Sequence, residues 1–372
     1  MKMMMPSSEA ELAELVTGLS EPVRIEGGGT RGMVIDGAAL GTSGLSGVAL
    51  YEPGALTLVA GAGTPVAELD ALLAGENQRL AFEPMDHRGL LGTSGEPTIG
   101  GVVAGNISGP RRIAVGACRD HLLGVRFVDG AGQVIMNGGR VMKNVTGYDL
   151  VKLMCGSWGT LGVLSQVSLK VLPSVETEAT LSVAVADLHA AVAAMSAALG
   201  SPFEVTGAAF DGQVRIRVEG FAESVAYRAG RLREILGAHG EIGEGIEAET
   251  SAALWRRLRD VEMFHGSSGD IWKLSVKPSD APEVIARVVP EESLLDWGGG
   301  LIWLRVAEGS DVRAKMNDLS GHATIVRAGT STRARLGTFQ PEQTALAKIS
   351  SGIRARFDPR GVLNPGLMEA VE

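Results

Sequence analysis

Apolar residues first recur along the chain with a helical period. Leu12, Leu15, Val16 and Leu19 share one face of residues 8–19, which predicts an amphipathic helix. Short β-branched runs follow, VRI, VALYE and LTLVAGAG, and predict strands. Thr64 then stands as a candidate N-cap with Pro65 at the first helical position, while Val66, Leu69, Leu72 and Leu73 keep helical spacing. RLAFEP reads as a returning strand. LLGVRFVDG and QVIMNGG predict a strand pair joined near residues 129–132. A helix through YDLVKLM, a turn GSWGTLG and a long strand VLSQVSLKVLP complete the first half.

The pattern changes near Pro173. Strand and helix units then alternate in an α+β manner: ATLSVAV, the helix DLHAAVAAMSAAL, and VTGAAF and QVRIRVEG joined at Asp211-Gly212. Helices are predicted through SVAYRAGRLREIL and SAALWRRLRDVEMF. WKLSV follows, then a helix with Asp280 as cap and Glu283 at its third position, in the manner of a capping box. LIWLRV, ATIVRAG and a last helix PEQTALAKISSGIRARF close the chain.

Glycine changes this picture. GGGTRG, residues 27–32, matches G-x-G-x-x-G, the dinucleotide fingerprint of a strand–turn–helix unit. A strand precedes it, but Gly37, Gly41, Gly44 and Gly47 break any helix after it, so the Rossmann reading fails. A glycine loop can still approach a phosphate through its backbone N–H groups, or can be a tight turn. A second cluster, Thr98-Ile99-Gly100-Gly101 with Gly105-Asn106-Ile107-Ser108-Gly109, and a third, Gly156 to Gly162, lack bulk in the same way. Small side chains let a flat group lie against the backbone, whereas close helix packing would explain only one such cluster.

Composition narrows the function. The chain has 372 residues, room for about two domains. Its net charge of −9 argues against a general nucleic-acid binder. Two cysteines, Cys118 and Cys155, stand in unrelated sequence contexts and are too few for a four-cysteine cluster, so a reducing compartment is expected. The start, MKMMMPSSEAEL, has one lysine and no apolar stretch, so no secretory signal is expected, and no uncharged run reaches the ~20 residues of a membrane span. The histidines His87, His121, His189, His239, His265 and His322 form no metal-spaced pair, and His189 reads as a helix-face residue.

RIEGGGTRG, LTLVAGAGTPVAELDALL, EPTIGGVVAGNISGPRR, RDHLLGVRFVDGAGQV, the run from Val141 to Pro173, DWGGGLIWL, SGHAT and FDPRGVLNPGLM carry a resemblance. In this order they resemble the flavin-binding subunits of bacterial glycolate oxidase, within the vanillyl-alcohol oxidase/p-cresol methylhydroxylase (PCMH) superfamily. The resemblance spans nearly the whole chain. It implies an α+β protein: a two-subdomain PCMH-type FAD-binding domain over residues 1–173, a C-terminal α+β cap domain with an antiparallel sheet over 174–345, and a segment 346–372 returning to the flavin domain. It implies that Gly27, Gly28, Gly29, Thr30, Arg31 and Gly32, with Thr98, Ile99, Gly100, Gly101, Ala104, Gly105, Asn106 and Ser108, hold the FAD pyrophosphate. Gly156, Gly159, Thr160, Gly162 and Val163 are expected along the adenine and ribose, Asn364 near the flavin ring, and Pro84, Gly109 and Arg111 among the cofactor contacts. One of Arg111, Arg112 and Arg119 is expected to touch phosphate or steady the loop. Lys143, Tyr148 and Asp149 are expected to position backbone. Some relatives attach FAD through a histidine beside the first loop. Thr30 and Arg31 stand there, so non-covalent FAD and no metal are expected.

Related FAD-dependent 2-hydroxyacid dehydrogenases hold a divalent metal on an H-x-G-D-G-x-x-H stretch and a later Glu-His pair. Here the matching stretch runs from Asp296 to Trp303. The glycines remain, but aspartate and tryptophan replace the histidines, and His322 has no adjacent carboxylate. Lys273, in DIWKLSVKP, reads either as a carboxylate holder or as a strand-end surface lysine. The catalytic residues are therefore left unassigned. The resemblance implies a subunit of a complex oxidising glycolate to glyoxylate, serving electron transfer or assembly. Its expected partners are a paralogous FAD-containing hydroxyacid-oxidising subunit and an iron–sulfur subunit, in the cytoplasm and reaching a membrane only through the complex. A self-sufficient D-lactate-type dehydrogenase and a non-catalytic structural flavoprotein are the alternatives. Trp255, Phe264 and Trp297 read either as core or as a partner surface.

Overall fold

The computed structural model describes residues 3–32, 35, 37–139, 147–316 and 318–369. They form two units: Met1–Ser108, Gly116–Ser174 and Pro341–Met368 in the first, Gly109–Val115 and Val175–Gln340 in the second. Lys143 lies outside the described residues.

In unit 1, β1 (Val23–Glu26) and β2 (Ala38–Gly41) run parallel, Val23 opposite Ala38. A parallel pair cannot be joined by a hairpin, so GGGTRG leaves β1 as an open loop, not a tight turn between neighbours. A five-stranded antiparallel sheet has the order β3 (Val48–Glu52), β4 (Thr57–Gly61), β8 (Val163–Lys170), β6 (Leu122–Val128), β7 (Val134–Gly138). Leu12 and Val16 of the first helix, Glu9–Thr17, pack with Val23, Leu40, Val128, Val163 and Leu363 in one apolar cluster. The helix buries that face because Leu12 and Val16 are four apart.

Three expected elements differ. RLAFEP is not a strand: only β5 (Gln78–Arg79) pairs, with β9 (Leu172–Pro173), and Glu83 turns the chain at φ 47°. Pro65, not Thr64, caps the helix Val66–Ala74. The Thr64 hydroxyl is engaged elsewhere, donating to Gly61 O at 2.7 Å and accepting from Gly47 N at 2.9 Å. Asp280 gives no side-chain cap to the helix Ala281–Val288, because it ends a 3-10 turn, Pro278–Asp280, in a helical conformation that keeps its carboxylate off the amides. TIGGVVA, unassigned by its small residues, is a short helix, Ile99–Ala104, and Thr98 caps it by accepting from Gly101 N.

Unit 2 is an eight-stranded antiparallel sheet. Its order is β13 (Glu241–Ile242), β10 (Thr177–Ala184), β12 (Val214–Gly220), β11 (Gly207–Phe210), β15 (Glu292–Asp296), β16 (Leu301–Val306), β14 (Asp270–Val276), β17 (Gly321–Arg327). The helices Leu188–Leu199, Ala222–Leu236 and Ala281–Val288 supply Ala191, Met195, Leu232, Leu236 and Val284 to a core shared with Ile216, Trp272, Leu274 and Ile302. Trp255 and Phe264 are buried core, not surface. The exposed aromatics of this unit are Phe221 and Tyr227. Arg111 is drawn into a buried ionic cluster: its guanidinium donates to Glu219 at 2.6–2.9 Å and lies 4.0 Å from Glu178, while Arg217 approaches Glu219 at 3.5 Å.

Breaking a buried pair from one side leaves an uncompensated charge, a loss of about 3–5 kcal/mol. Glu219→Gln is expected to lower unfolding free energy by that order, and urea titration checks it. A loss below about 1 kcal/mol, the scale of an exposed pair, would show that water reaches the cluster.

Candidate functional site

The first loop and the Ile99–Ala104 helix wall an open cleft in unit 1 with about 820 Å³ of empty space. Gly27 to Gly32, Gly100, Gly101 and Ala104 line it from one side, Gly159, Gly162 and Asn364 from another. Thr98 lines an adjoining hollow that shares Gly27, Gly28 and Gly29 with it.

The glycines do not all serve one purpose. A Cβ on Gly28 would lie 1.5 Å from Glu96 O, one on Gly95 1.6 Å from Gly28 O, and one on Gly100 2.6 Å from the Ala62 side chain. These three let backbone press on backbone. Gly29 is different: at φ 69° it meets nothing within 4 Å. At Gly101, a Cβ would meet Arg31 Nη1 at 2.6 Å. Bulk at Gly28 or Gly101 therefore strikes the protein itself, whereas Gly29 offers a clear test of the cofactor space that the sequence assigned to the whole loop.

Asn364 works as a staple. Its Oδ1 accepts from Ile25 N at 2.8 Å and its Nδ2 donates to Trp158 O at 2.7 Å, tying β1 to the Trp158–Gly159 turn. Thr93 Oγ1 donates to Thr30 O at 3.0 Å and fixes the first loop from the other side. Arg31 is partly buried, and its Nε has no hydrogen-bond partner among the described residues. Burial holds its guanidinium down at about 10.

Other expected contacts lie off the cleft lining. Asn106 Oδ1 accepts from Arg119 N and from the Cys155 thiol, and Ser108 Oγ accepts from Cys118 N. Thr160 Oγ1 donates to Ser157 O, and Val163 is buried as the first residue of β8. Ile99, a buried helix residue, Gly105, its C-cap, and Gly156 and Pro84 do not line the space. Gly109 and Arg111 belong to unit 2, where Glu219 takes up the arginine that was expected on phosphate. Cys118 and Cys155 come together, both buried and within hydrogen-bond reach of one another. Burial, then the second thiol, pushes Cys118 well above the usual range, which keeps it neutral. Missed from sequence were Ile25, Glu26, Thr42, Ala62, Trp158 and Leu164. Trp158, at φ 53° between Ser157 and Gly159, carried the one usable signal, a bulky aromatic in a turn.

Unit 2 holds a second constellation. Trp297 opens the DWGGG turn at φ 53°, and its N–H donates to Asp296 Oδ1 at 2.7 Å. The Arg112 guanidinium stacks 4.3 Å from the Trp297 ring. Lys273 Nζ lies 5.7 Å from both the Trp297 and Trp303 rings. Lys273 is therefore no surface lysine: it sits in mid-strand on β14, opposite Trp303. Burial, then Arg112, lowers its amine to about 8, with Asp296 opposing. Partial desolvation, then Lys273 and Arg112, lowers His322. Among the described residues, no three His, Cys, Asp or Glu side chains group at metal-binding range.

The cleft suits FAD: glycine backbone, an orphaned guanidinium N–H and an apolar floor of Ile25, Ala62 and Leu164. Residues 2–137 match the family described as FAD binding domain. The fold is that of alkyldihydroxyacetonephosphate synthase, matched with a TM-score of 0.69 at 15% identity over 98% of this chain and 76% of that one. The protein is an FAD-linked oxidoreductase of the PCMH type. It is 36% identical over 371 residues to glycolate oxidase subunit GlcE of Escherichia coli (strain K12), covering 98% of this chain and 97% of that one, and it belongs to that family. Glycolate oxidase subunit GlcD of Bacillus subtilis (strain 168) is 34% identical over 131 residues, 35% of this chain and 27% of that one.

The two kinds of glycine separate experimentally. Gly28→Ala is expected to destabilise the chain by about 3 kcal/mol or more, because a backbone oxygen must move. Gly29→Asn keeps a left-handed conformation that asparagine tolerates. It should fold normally yet purify with clearly less flavin, as read by thermal melting and the FAD-to-protein ratio. Full flavin in Gly29→Asn would remove the loop from the cofactor site.

Lys273 makes a pH-dependent contribution. Its amine titrates near 10.5 unfolded and about 8 folded. Between those values the unfolded chain binds the proton and the folded chain does not, so stability rises with pH across the window and levels above it. Lys273→Met should lack that rise in unfolding measurements from pH 7.5 to 10.5.

Proposed function

We propose that this chain is the FAD-binding subunit of a glycolate oxidase assembly that oxidises glycolate to glyoxylate. Its own hydroxyacid site is lost, and it serves electron transfer or assembly. It pairs with a paralogous, GlcD-like FAD subunit that carries out the oxidation, and with an iron–sulfur subunit, in the cytoplasm. Among the described residues, no helix is long and apolar enough to cross a membrane. Any membrane contact runs through the complex.

One observation carries this reading. The two positions where relatives place histidine ligands hold Asp296 and Trp303, and both are buried in packing. Asp296 accepts from Trp297 N, and an indole cannot serve as a metal ligand through its N–H, which only donates. Trp297 and Trp303 fill space with rings that lie against Lys273. A bound FAD supplies a two-electron acceptor. The residues named for the cleft would hold it through glycine N–H groups, Thr98 and Arg31, without a covalent link from Thr30.

The isolated, FAD-loaded chain, mixed anaerobically with glycolate or D-lactate, is expected to keep its yellow colour, and to bleach only when the paralogous subunit is added. Rapid bleaching of the isolated chain would establish a self-sufficient dehydrogenase instead. Turnover by the assembled complex with this flavin unbleached would leave it a structural role. Acid precipitation should release all FAD to the supernatant, whereas flavin in the pellet would reveal a covalent bond.

A further inference from the structure

The last helix, Thr344–Phe357, departs from the packing that the other long helices show. The helix Ala222–Leu236, one residue longer, buries Val225, Leu232 and Leu236. Thr344–Phe357 buries none of its fourteen residues. Near its start Ser350 Oγ donates to Glu342 at 2.9 Å. At its end the Phe357 ring lies 6.1 Å from Phe127, and the Phe357 carbonyl accepts from Gly130 N at 2.8 Å. A helix of ~12–15 residues is marginal in water without a packed face. The inner side is only half-buried, through Ala347, Ile353 and Phe357. On the outer side Leu346 is 55% exposed and Ile349 60%. With Ala345 and Gly352 they recur three and four positions apart and form one stripe. A Cβ added at Gly352 would meet nothing within 4 Å, so the stripe faces open space.

Charge says what kind of surface closes it. The chain carries −9 overall, yet Thr344–Phe357 holds Lys348, Arg354 and Arg356 and no acid. Lys348 and Arg356 are exposed beside the stripe and make no ion pair among the described residues. A second copy docking through the same face would repeat the patch on both sides and set these cations against their own kind. Two large apolar side chains are also too little area to hold a helix in a bilayer surface. We propose that this helix docks into an apolar groove, bordered by carboxylates, on a different subunit of the same assembly. Ile349 is the central anchor, and Lys348 and Arg356 fix orientation at the rim. This rests on the chain's being a subunit of such an assembly.

The test uses the full, FAD-loaded chain, with the co-expressed paralogous FAD subunit and iron–sulfur subunit as probes. Ile349→Glu is expected to weaken binding to them by at least about 10-fold, as loss of a buried anchor implies. The double change Lys348→Glu and Arg356→Glu should also weaken binding, and should remove the loss that raised salt causes in wild type. Val289→Glu, at a residue 76% exposed on unit 2, should bind as wild type. Each isolated variant should keep its melting temperature and its FAD content, because the face is open in the chain alone. Wild-type affinity in Ile349→Glu would overturn the proposal. So would a lowered melting temperature of isolated Ile349→Glu, which would show that the chain covers the face itself. A wild-type dimer that Ile349→Glu abolishes would assign the face to a second copy and overturn it. Flotation of wild type, but not Ile349→Glu, with phosphatidylglycerol vesicles in the absence of the subunits would assign it to a membrane and overturn it equally. Wild type that binds neither subunit would sink the assembly reading itself, and this proposal with it.

Discussion

The cofactor unit depends on one contact without side chains. The loop after β1 and the loop before the Ile99–Ala104 helix touch backbone to backbone, with Gly28 against Glu96 O and Gly95 against Gly28 O. At these separations even a methyl group would collide, so both loops must be glycine at the crossing point. The rest of the cleft follows from that crossing. Thr93 donates to Thr30 O, Thr98 caps the helix, and Asn364 joins β1 to the Trp158 turn. Each of these polar bonds fixes one more segment relative to the crossing and leaves the enclosed space free of side chains.

Much of this was legible in the sequence, and what was not has a physical cause. Period-2 and period-3.6 patterns located the long strands and helices of unit 2, whose cores bury one face of each element. They failed at RLAFEP, where apolar residues are buried by a turn and not by a ladder, and at TIGGVVA, where the helix is too short and too small in its residues to show a period. Caps misled for a related reason. Thr64 and Asp280 are the right residue types, but competing partners or a preceding 3-10 turn set their conformations. The glycine loops pointed to the cofactor cleft. They did not reveal which glycines face space and which face backbone, because that depends on a loop nearly seventy residues away.

The same limit applied to charges. Arg111 and Arg31 are both arginines in glycine-rich stretches with a claim on phosphate. The fold gives Arg111 a buried carboxylate, whereas the Arg31 Nε–H has no acceptor among the described residues. Pairing is decided by distant chain, Glu219 in one case, and no local pattern can supply it. Lys273 shows the reverse error. A lysine near a strand end reads as solvated, yet strand β14 continues on both sides of it and two indoles cover it.

The two units thus carry different kinds of electrostatic imbalance. In the cleft, the partly buried Arg31 guanidinium keeps an Nε–H with no acceptor among the described residues, and Asp86, whose charge reaches it, is held by Arg88. In unit 2, Arg112 and Lys273 are like charges held near each other, but the faces of Trp297 and Trp303 lie beside them. An aromatic face attracts a cation and offers no lone pair to a metal. Asp296 is already engaged by the Trp297 backbone N–H. The turn therefore surrounds the protein's own cations with ring faces and one occupied carboxylate, and the lowered Lys273 amine follows from that burial and from Arg112 beside it.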